Sequence, residues 1–353
     1  MRSSSPNIRV LIADDSFFMR KLLRGLLDSD HKVEVVGEAR DGEEAVSLAK
    51  VLLPDVITMD YLMPKKNGAE ATKEIMKSVH PSPGILMVSA YTSSGAKATL
   101  ESLHAGALDY VLKPSGELSL DLEKKSSEIL AKIHAASGHK GSVRKGAPRI
   151  HKKVMEQKIF LADAVILGAS TGGPPLLEEI LAELPSNIRA PIFIVQHMPK
   201  YFTEIFSVRL SAMCRLPVKE AQDGDSVQGG RIFVSPGGFQ MKFKSPRNSN
   251  GRKIISLEKE KEKDENLTPS IDQIMSSAVD AYGKRVLGIV LTGMGEDGRE
   301  GLRSIHKMGG YVIVQDPRTA VVASMPQSAI REKIVDEILA PADIIRRIIA
   351  FAS

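Results

Sequence analysis

Residues 164–175, AVILGASTGGPP, constrain this chain more tightly than any other stretch. A short apolar run, 164–167, meets Ser170 set between Gly168 and Gly172, and Pro174 and Pro175 then open an amphipathic stretch over 176–184. The apolar run predicts a buried strand and the glycines a sharp turn. The prolines predict the first turn of a helix, where a missing N–H is tolerated. The stretch therefore reads as strand, turn and helix with a hydroxyl lifted clear of the sheet, at the G-x-S-x-G spacing that presents a nucleophile. An ordinary glycine-rich turn fits the same pattern, so a nucleophilic serine needs a base and an orienting acid elsewhere in the chain.

The alternation of strand and helix signals runs through both halves. In the first, short apolar runs at 10–13, 33–36, 56–59, 85–88 and 110–112 are separated by helical periodicity at 17–27, 43–51, 69–79 and 96–103, with 118–133 last. Five strands with five helices predict a doubly wound parallel sheet. In the second, strands are expected at 164–167, 192–195, 232–234, 286–291 and 311–314, and helices at 176–184, 202–213, 271–282, 301–308 and 344–350. Segments 240–244 and 253–257 flank Asn-Ser-Asn-Gly and predict an antiparallel hairpin beside a mostly parallel α/β sheet. The expected organisation is an N-terminal domain over 1–133, a linker over 134–160 and a second domain over 161–353.

The formal net charge of +5 raises the question of nucleic acid, and its location answers it. Between Gly138 and Lys158 lie Lys140, Arg144, Lys145, Arg149, Lys152, Lys153 and Lys158 against Glu156 alone, so the rest of the chain is close to neutral. Basicity confined to a Gly- and Ser-rich tether predicts a solvated linker or a docking strip for an acidic partner, not a nucleic-acid groove. The alternating charges of 258–265 predict a solvated loop or strand end. Cys214 is the single cysteine, which excludes an intramolecular disulfide and fits a reducing cytoplasm. No apolar run approaches the roughly 20 residues of a membrane span, and the run at 10–13 is too short for a signal peptide core. A cytoplasmic protein without membrane insertion is expected.

In a parallel sheet, ligands gather at the carboxyl ends of the strands. Asp14 and Asp15 follow the first run, Asp60 ends the third, Ser89 the fourth and Lys113 the fifth. Carboxylates converging on one pocket repel one another unless a cation joins them, and such oxygen-rich sites suit Mg²⁺. A lysine and a hydroxyl nearby can hold an anion formed on one aspartate. This half, through its ADDS, ITMDYLMPKKNG, VSA and DYVLKP segments, resembles a response-regulator receiver domain. The resemblance implies that Asp60 is the phosphoacceptor and that Asp14, Asp15, Asp60 and the Leu62 carbonyl hold Mg²⁺. It further implies that Ser89, Lys113 and Tyr110 form the phospho-switch and that a histidine kinase is the phosphodonor. Tyr110 taken alone also fits a half-buried packing aromatic.

In the second half, the strand at 192–195 runs into Gln196-His197-Met198-Pro199, and that at 286–291 into Thr292-Gly293-Met294-Gly295-Glu296-Asp297-Gly298. A serine, a histidine and an acid just beyond three parallel strands can meet as nucleophile, base and orienter. Singly, His197 fits a packed histidine and Asp297 a helix N-cap. Gly293, Gly295 and Gly298 also satisfy G-x-G-x-x-G, with Asp316 beyond, as in a dinucleotide site. Glu296 and Asp297 would then face a pyrophosphate with two negative charges. The glycines are better read as letting the backbone pass close to Ser170 and His197.

The segments GASTGGP, QHMP, LTGMGEDG, PSID and QDPRTAVVASMP resemble the catalytic domain of the chemotaxis protein-glutamate methylesterases. The resemblance implies Ser170 as nucleophile, His197 as base, Asp297 as orienting acid and the Met294 backbone N–H in the oxyanion hole. No cofactor is needed for that chemistry. The implied substrate is the γ-glutamyl methyl ester on chemoreceptor helices, with glutamine deamidation open. Gln240, Thr268 and Ser324 depart from the family pattern, which often has histidine, arginine and glycine at these places. The alternative is a non-enzymatic phospho-regulated binding or output module.

Overall fold

The computed structural model describes residues 7–90, 92–113, 120–138, 160–245, 252–259 and 268–353. The chain falls into two compact units, 1–143 and 144–353. The basic tether at 139–159, the hairpin tip at 246–251 and most of the charge run at 258–265 lie outside the described residues.

In the first unit β1 (Ile8–Ala13), α1 (Phe17–Leu27), β2 (Val33–Ala39), α2 (Gly42–Leu52) and β3 (Val56–Asp60) are followed by α3 (Gly68–Ser78) and β4 (Gly84–Ser89). Then come α4 (Ser93–His104), β5 (Asp109–Leu112) and α5 (Leu120–Ser137). The five strands are parallel in the order β2-β1-β3-β4-β5. All residues of β3 and β4 are buried, as expected for central strands covered on both faces. Helix starts follow local chemistry: the side chains of Ser16, Asp41, Asn67 and Thr92 each accept a backbone N–H of the helix they precede. Register sets Ala13 beside Met59, Asp60 beside Val88 and Ser89 beside Leu112. The residues after these strands therefore emerge along one edge.

The second unit begins with β6 (Ala164–Ala169), α6 (Gly173–Ala182), β7 (Ile192–Gln196), α7 (Lys200–Met213), β8 (Val218–Glu220) and β9 (Ile232–Val234). The hairpin β10 (Phe239–Lys244) and β11 (Ile254–Lys259) leads into α8 (Ile271–Tyr282) and β12 (Val286–Val290). The chain closes with α9 (Arg299–Met308), β13 (Tyr311–Gln315), α10 (Ser324–Arg331), β14 (Glu337–Leu339) and α11 (Pro341–Ala352). Seven parallel strands lie in the order β14-β13-β12-β6-β7-β9-β8, and β10 pairs antiparallel with β11 as a separate ribbon. Met241, Phe243 and Ile255 bring that ribbon into the main core, where Phe243 meets Phe193 edge-on at 4.6 Å between ring centroids. Burying each such side chain contributes about 1.5–3 kcal/mol, enough to keep a two-stranded ribbon docked.

Three elements escape the sequence pattern. β8 and β14 are three-residue edge strands, too short to display a period. α10 carries Pro326 at its third position, which reads as a breaker but is tolerated in a first turn, where no intrahelical N–H is needed. The central order β12-β6-β7 matters most for function. The chain leaves β6 for β7 on one side and returns to β12 on the other, so the crevice at their carboxyl ends is a topological switch point.

Candidate active site

Ser170 stands directly after β6, with Gly172 at φ +75° closing the turn into α6. A left-handed residue here favours glycine, and a side chain on Gly172 would strike Val321. The turn is bound to its neighbour strands: Ser170 N donates to Thr292 O at 3.0 Å and Thr292 Oγ1 donates to Thr171 O at 2.9 Å. A Cβ built on Gly293 would lie 2.8 Å from Ser170 Cβ. Gly293 thus brings the loop backbone against the serine, whereas Gly295 has nothing within 4 Å and Gly298 faces Val290 and Ile271.

His197 follows β7, and Asp297 lies in the loop after β12. Their strands flank β6, and Gly168 pairs with both Val195 and Val290, so the three strand ends are level. Loops from the two outer strands meet over the middle one: His197 Nε2 lies 2.7 Å from Asp297 Oδ2. Both side chains are largely buried, 8% and 15% exposed, which strengthens the pairing. A carboxylate partner makes Nε2 the protonated nitrogen, leaving Nδ1 with its lone pair as the basic atom. Among the described residues Ser170 Oγ and His197 share no hydrogen bond, and such contacts often tighten only with substrate.

Asp297 does not cap its own following helix, whose N-cap is Gly298. It sits at the start of α8 instead, accepting from Ile271 N at 2.8 Å, Asp272 N at 3.0 Å and Ser270 Oγ at 3.1 Å. Burial pushes its carboxyl up, but the His197 hydrogen bond and charge, with the two backbone N–H groups, outweigh that and hold it below the usual carboxylate range. Asp272 is pushed up to about 6, by burial first and by the charge of Asp297. Ser270 and Asp272 were missed from the sequence because only the fold brings them to residue 297. Gln240 supports the same helix start, its Oε1 accepting from Ser270 N at 2.9 Å. Thr268 is buried just ahead of it. Ser324 Oγ donates to Gly293 O at 2.9 Å and accepts from Gly295 N at 3.2 Å, bracketing Met294. The dinucleotide pattern is accounted for otherwise: Gly295 and Gly298 have positive φ, Glu296 pairs with Arg299 and Arg331, and Asp316 pairs with Arg318.

In the first unit one carboxylate oxygen from each of Asp14, Asp15 and Asp60 lies within 4.8 Å of the others. Lys113 Nζ is 2.9 Å from Asp60 Oδ2 and 3.1 Å from Asp14 Oδ2. The buried Asp14 Oδ2 accepts no well-directed hydrogen bond, so the pocket still offers an oxygen to a cation. Burial pushes the Asp60 carboxyl up, aided by the charge of Asp14 and opposed by Lys113. Burial works against the Lys113 charge, yet the Asp60 and Asp14 carboxylates hold its ammonium above the usual lysine range. Leu62 lies in the following loop with its side chain 74% exposed. Ser89 turns toward α4, accepting from Thr99 Oγ1 at 2.7 Å. Tyr110 is buried, with Lys132 Nζ 5.2 Å from its ring centroid and 2.6 Å from its carbonyl.

Residues 165–348, more than half of the chain, match the family model described as CheB methylesterase. This chain belongs to the CheB methylesterase family. Residues 10–122 match the response regulator receiver domain model. The protein-glutamate methylesterase/protein-glutamine glutaminase of Methanococcus maripaludis is 40% identical over 98% of this chain and 98% of its own. That of Thermotoga maritima is 40% identical over 94% and 95%. The crystal structure of the Thermotoga maritima CheB methylesterase catalytic domain shares 37% identity, covers 53% of this chain and 97% of its own, and superposes with a TM-score of 0.50. This CheB family member thus has both expected α/β folds, a receiver followed by a catalytic unit. Among the described residues no helix is long and apolar enough to cross a membrane.

Proposed function

We propose that this chain is a phosphorylation-controlled serine hydrolase that removes methyl groups from glutamyl γ-methyl esters on the cytoplasmic helices of chemoreceptors. The observation that carries the reading is the His197–Asp297 pair, 2.7 Å apart at the strand ends that flank Ser170. Ser170 Oγ attacks the ester carbonyl while His197 Nδ1 takes its proton. The Met294 N–H stabilises the oxyanion of the tetrahedral intermediate, a contribution worth about 3 kcal/mol per donor. Nδ1 then protonates the departing methanol, and the same nitrogen activates the water that releases free glutamate. Asp297 fixes the tautomer and stabilises the imidazolium. A glutamine side chain can follow the same course with ammonia leaving.

The receiver supplies control in this reading. Mg²⁺ held by Asp14, Asp15, Asp60 and the Leu62 carbonyl would offset the negative charge of an incoming phosphoryl group. Asp60 accepts that group from a histidine kinase, Lys113 pairs with it, and Ser89 leaves Thr99 to reach it while Tyr110 packs behind. The domain limits proposed are 1–133, 134–160 and 161–353, with catalysis in the cytoplasm. Methanol release from a methylated receptor, measured with and without a small phosphodonor, tests the whole scheme. A chain that binds the receptor but releases no methanol would support the non-enzymatic alternative.

A further inference from the structure

Two peptide units flank Ser170, and a side chain anchors the carbonyl of each. Ser170 O accepts from Gly173 N at 2.8 Å and from Gln196 Nε2 at 3.0 Å. Gly293 O accepts from Met325 N at 3.2 Å and from Ser324 Oγ at 2.9 Å. A trans peptide is planar, with its C=O and N–H pointing opposite ways. Anchoring Ser170 O therefore aims the Thr171 N–H, and anchoring Gly293 O aims the Met294 N–H, each away from its anchor. Among the described residues neither N–H has an acceptor, although Thr171 is 3% exposed. A buried N–H without a partner, as at Thr171, is rare, and together with the N–H of the half-buried Met294 beside the same serine it suits an oxygen that becomes negative during reaction.

The anchors are specific. Gln196 is 2% exposed and its Nε2 also lies 3.4 Å from His197 O, so one amide joins the turn of the nucleophile to the backbone of the base. Two carbonyl acceptors fix the orientation of that amide, because the reverse would set oxygen against oxygen. Its Oε1 is then left buried without a hydrogen bond, against Gly173, where a Cβ would lie 2.1 Å away. Only glycine at 173 leaves room for the amide. Ser324 uses one hydroxyl to hold both neighbours of Met294.

We infer that Gln196 and Ser324 are positioning residues that hold the Thr171 and Met294 N–H groups as a preformed oxyanion site. The inference rests on the esterase reading above. When the bond from Ser170 Oγ to the acyl carbon forms, the carbonyl π pair moves onto oxygen, and the resulting charge meets donors already in place.

The test uses the full chain with methylated receptor as substrate, together with the rate at which a phosphonofluoridate labels Ser170 with loss of fluoride. Outright removal of an oxyanion donor costs about 10²–10³ in kcat, so the loss of an aiming contact is smaller. Gln196→Met should lower kcat and the labelling rate by roughly 10- to 100-fold with KM within about threefold. Ser324→Ala should lose about three- to tenfold, since Met325 N still holds Gly293 O. Gln196→Glu keeps a donor only while protonated, so its activity should fall at alkaline pH, where the parent chain stays on its plateau. Should Gln196→Met not fold, that profile decides alone. Folded Gln196→Met and Ser324→Ala with parental kcat, or a Gln196→Glu profile of parental shape, would overturn the inference. Ser170→Ala run alongside separates the two readings: if it still hydrolyses the ester, the esterase reading has failed and not the positioning.

Discussion

His197 presents Nε2, not Nδ1, to Asp297, with 2.7 Å between Nε2 and Oδ2. In the familiar serine triad the acid meets Nδ1 and Nε2 serves as base. Here the imidazole is reversed, and the basic lone pair falls on the nitrogen nearer the backbone. The acid is itself immobilised by the first turn of α8, which donates Ile271 N and Asp272 N to it. Asp297 therefore has two roles that a substitution affects together.

Replacing the nucleophile is the most direct check. Ser170→Ala should lower turnover by several orders of magnitude, as in other triads, with melting unchanged. Near-parental methanol release from the folded variant would remove the mechanism.

Asp297→Asn should favour the wrong imidazole tautomer and cost roughly 10⁴ in rate. Because Ile271 N and Asp272 N each use a different oxygen of Asp297 and an amide keeps only one acceptor, the same variant should lose a hydrogen bond worth about 1 kcal/mol of stability. Turnover and melting measured on one preparation check both. A stability loss with turnover intact would leave only the structural role.

Asp272 carries a pH signature. Its folded-state pKa of about 6 lies above the ordinary 3.8, so folding favours the protonated form and stability falls as pH rises from about 4 to 6. Asp297 is shifted downward, so its contribution is present above pH 3.8 and is lost as pH falls further. Asp272→Asn keeps an oxygen for Gly301 N and removes the repulsion. Its melting temperature should fall less than the parent's between pH 4 and 6, as scanning calorimetry across that range would show.

Mg²⁺ should raise the melting temperature of the receiver transition, because it neutralises buried carboxylates that Lys113 alone does not satisfy. Asp14→Asn or Asp60→Asn should weaken that response. An equal Mg²⁺ shift in both variants would place the ion elsewhere.

Control by the receiver has its own test. If the unphosphorylated receiver restrains the esterase, removal of residues 1–159 should raise basal activity, and Asp60→Asn should abolish the response to phosphodonor alone. A tenfold gain requires only about 1.4 kcal/mol of differential stabilisation. A catalytic fragment slower than the intact chain would exclude inhibition by the receiver and leave direct activation or receptor docking.

Both α/β units, and the edge on which their chemistry sits, follow from the order of residues along the chain. Apolar runs alternating with helical periods leave a parallel sheet as the arrangement that buries both strand faces, and parallel order delivers every post-strand loop to the same edge. The order of strands along the chain therefore places Ser170, His197 and Asp297 at one edge, and Asp14, Asp60 and Lys113 at another. Other features arise only when the chain has folded. The ring nitrogen facing Asp297, the docking of that carboxylate on a helix that starts 26 residues earlier, the tie of Ser89 to Thr99 and the three-residue strands β8 and β14 all depend on contacts between distant segments. Local periodicity reports which face of an element is buried. It carries no record of which distant atoms that face will meet, since packing and hydrogen bonding between elements settle that only when the chain has closed.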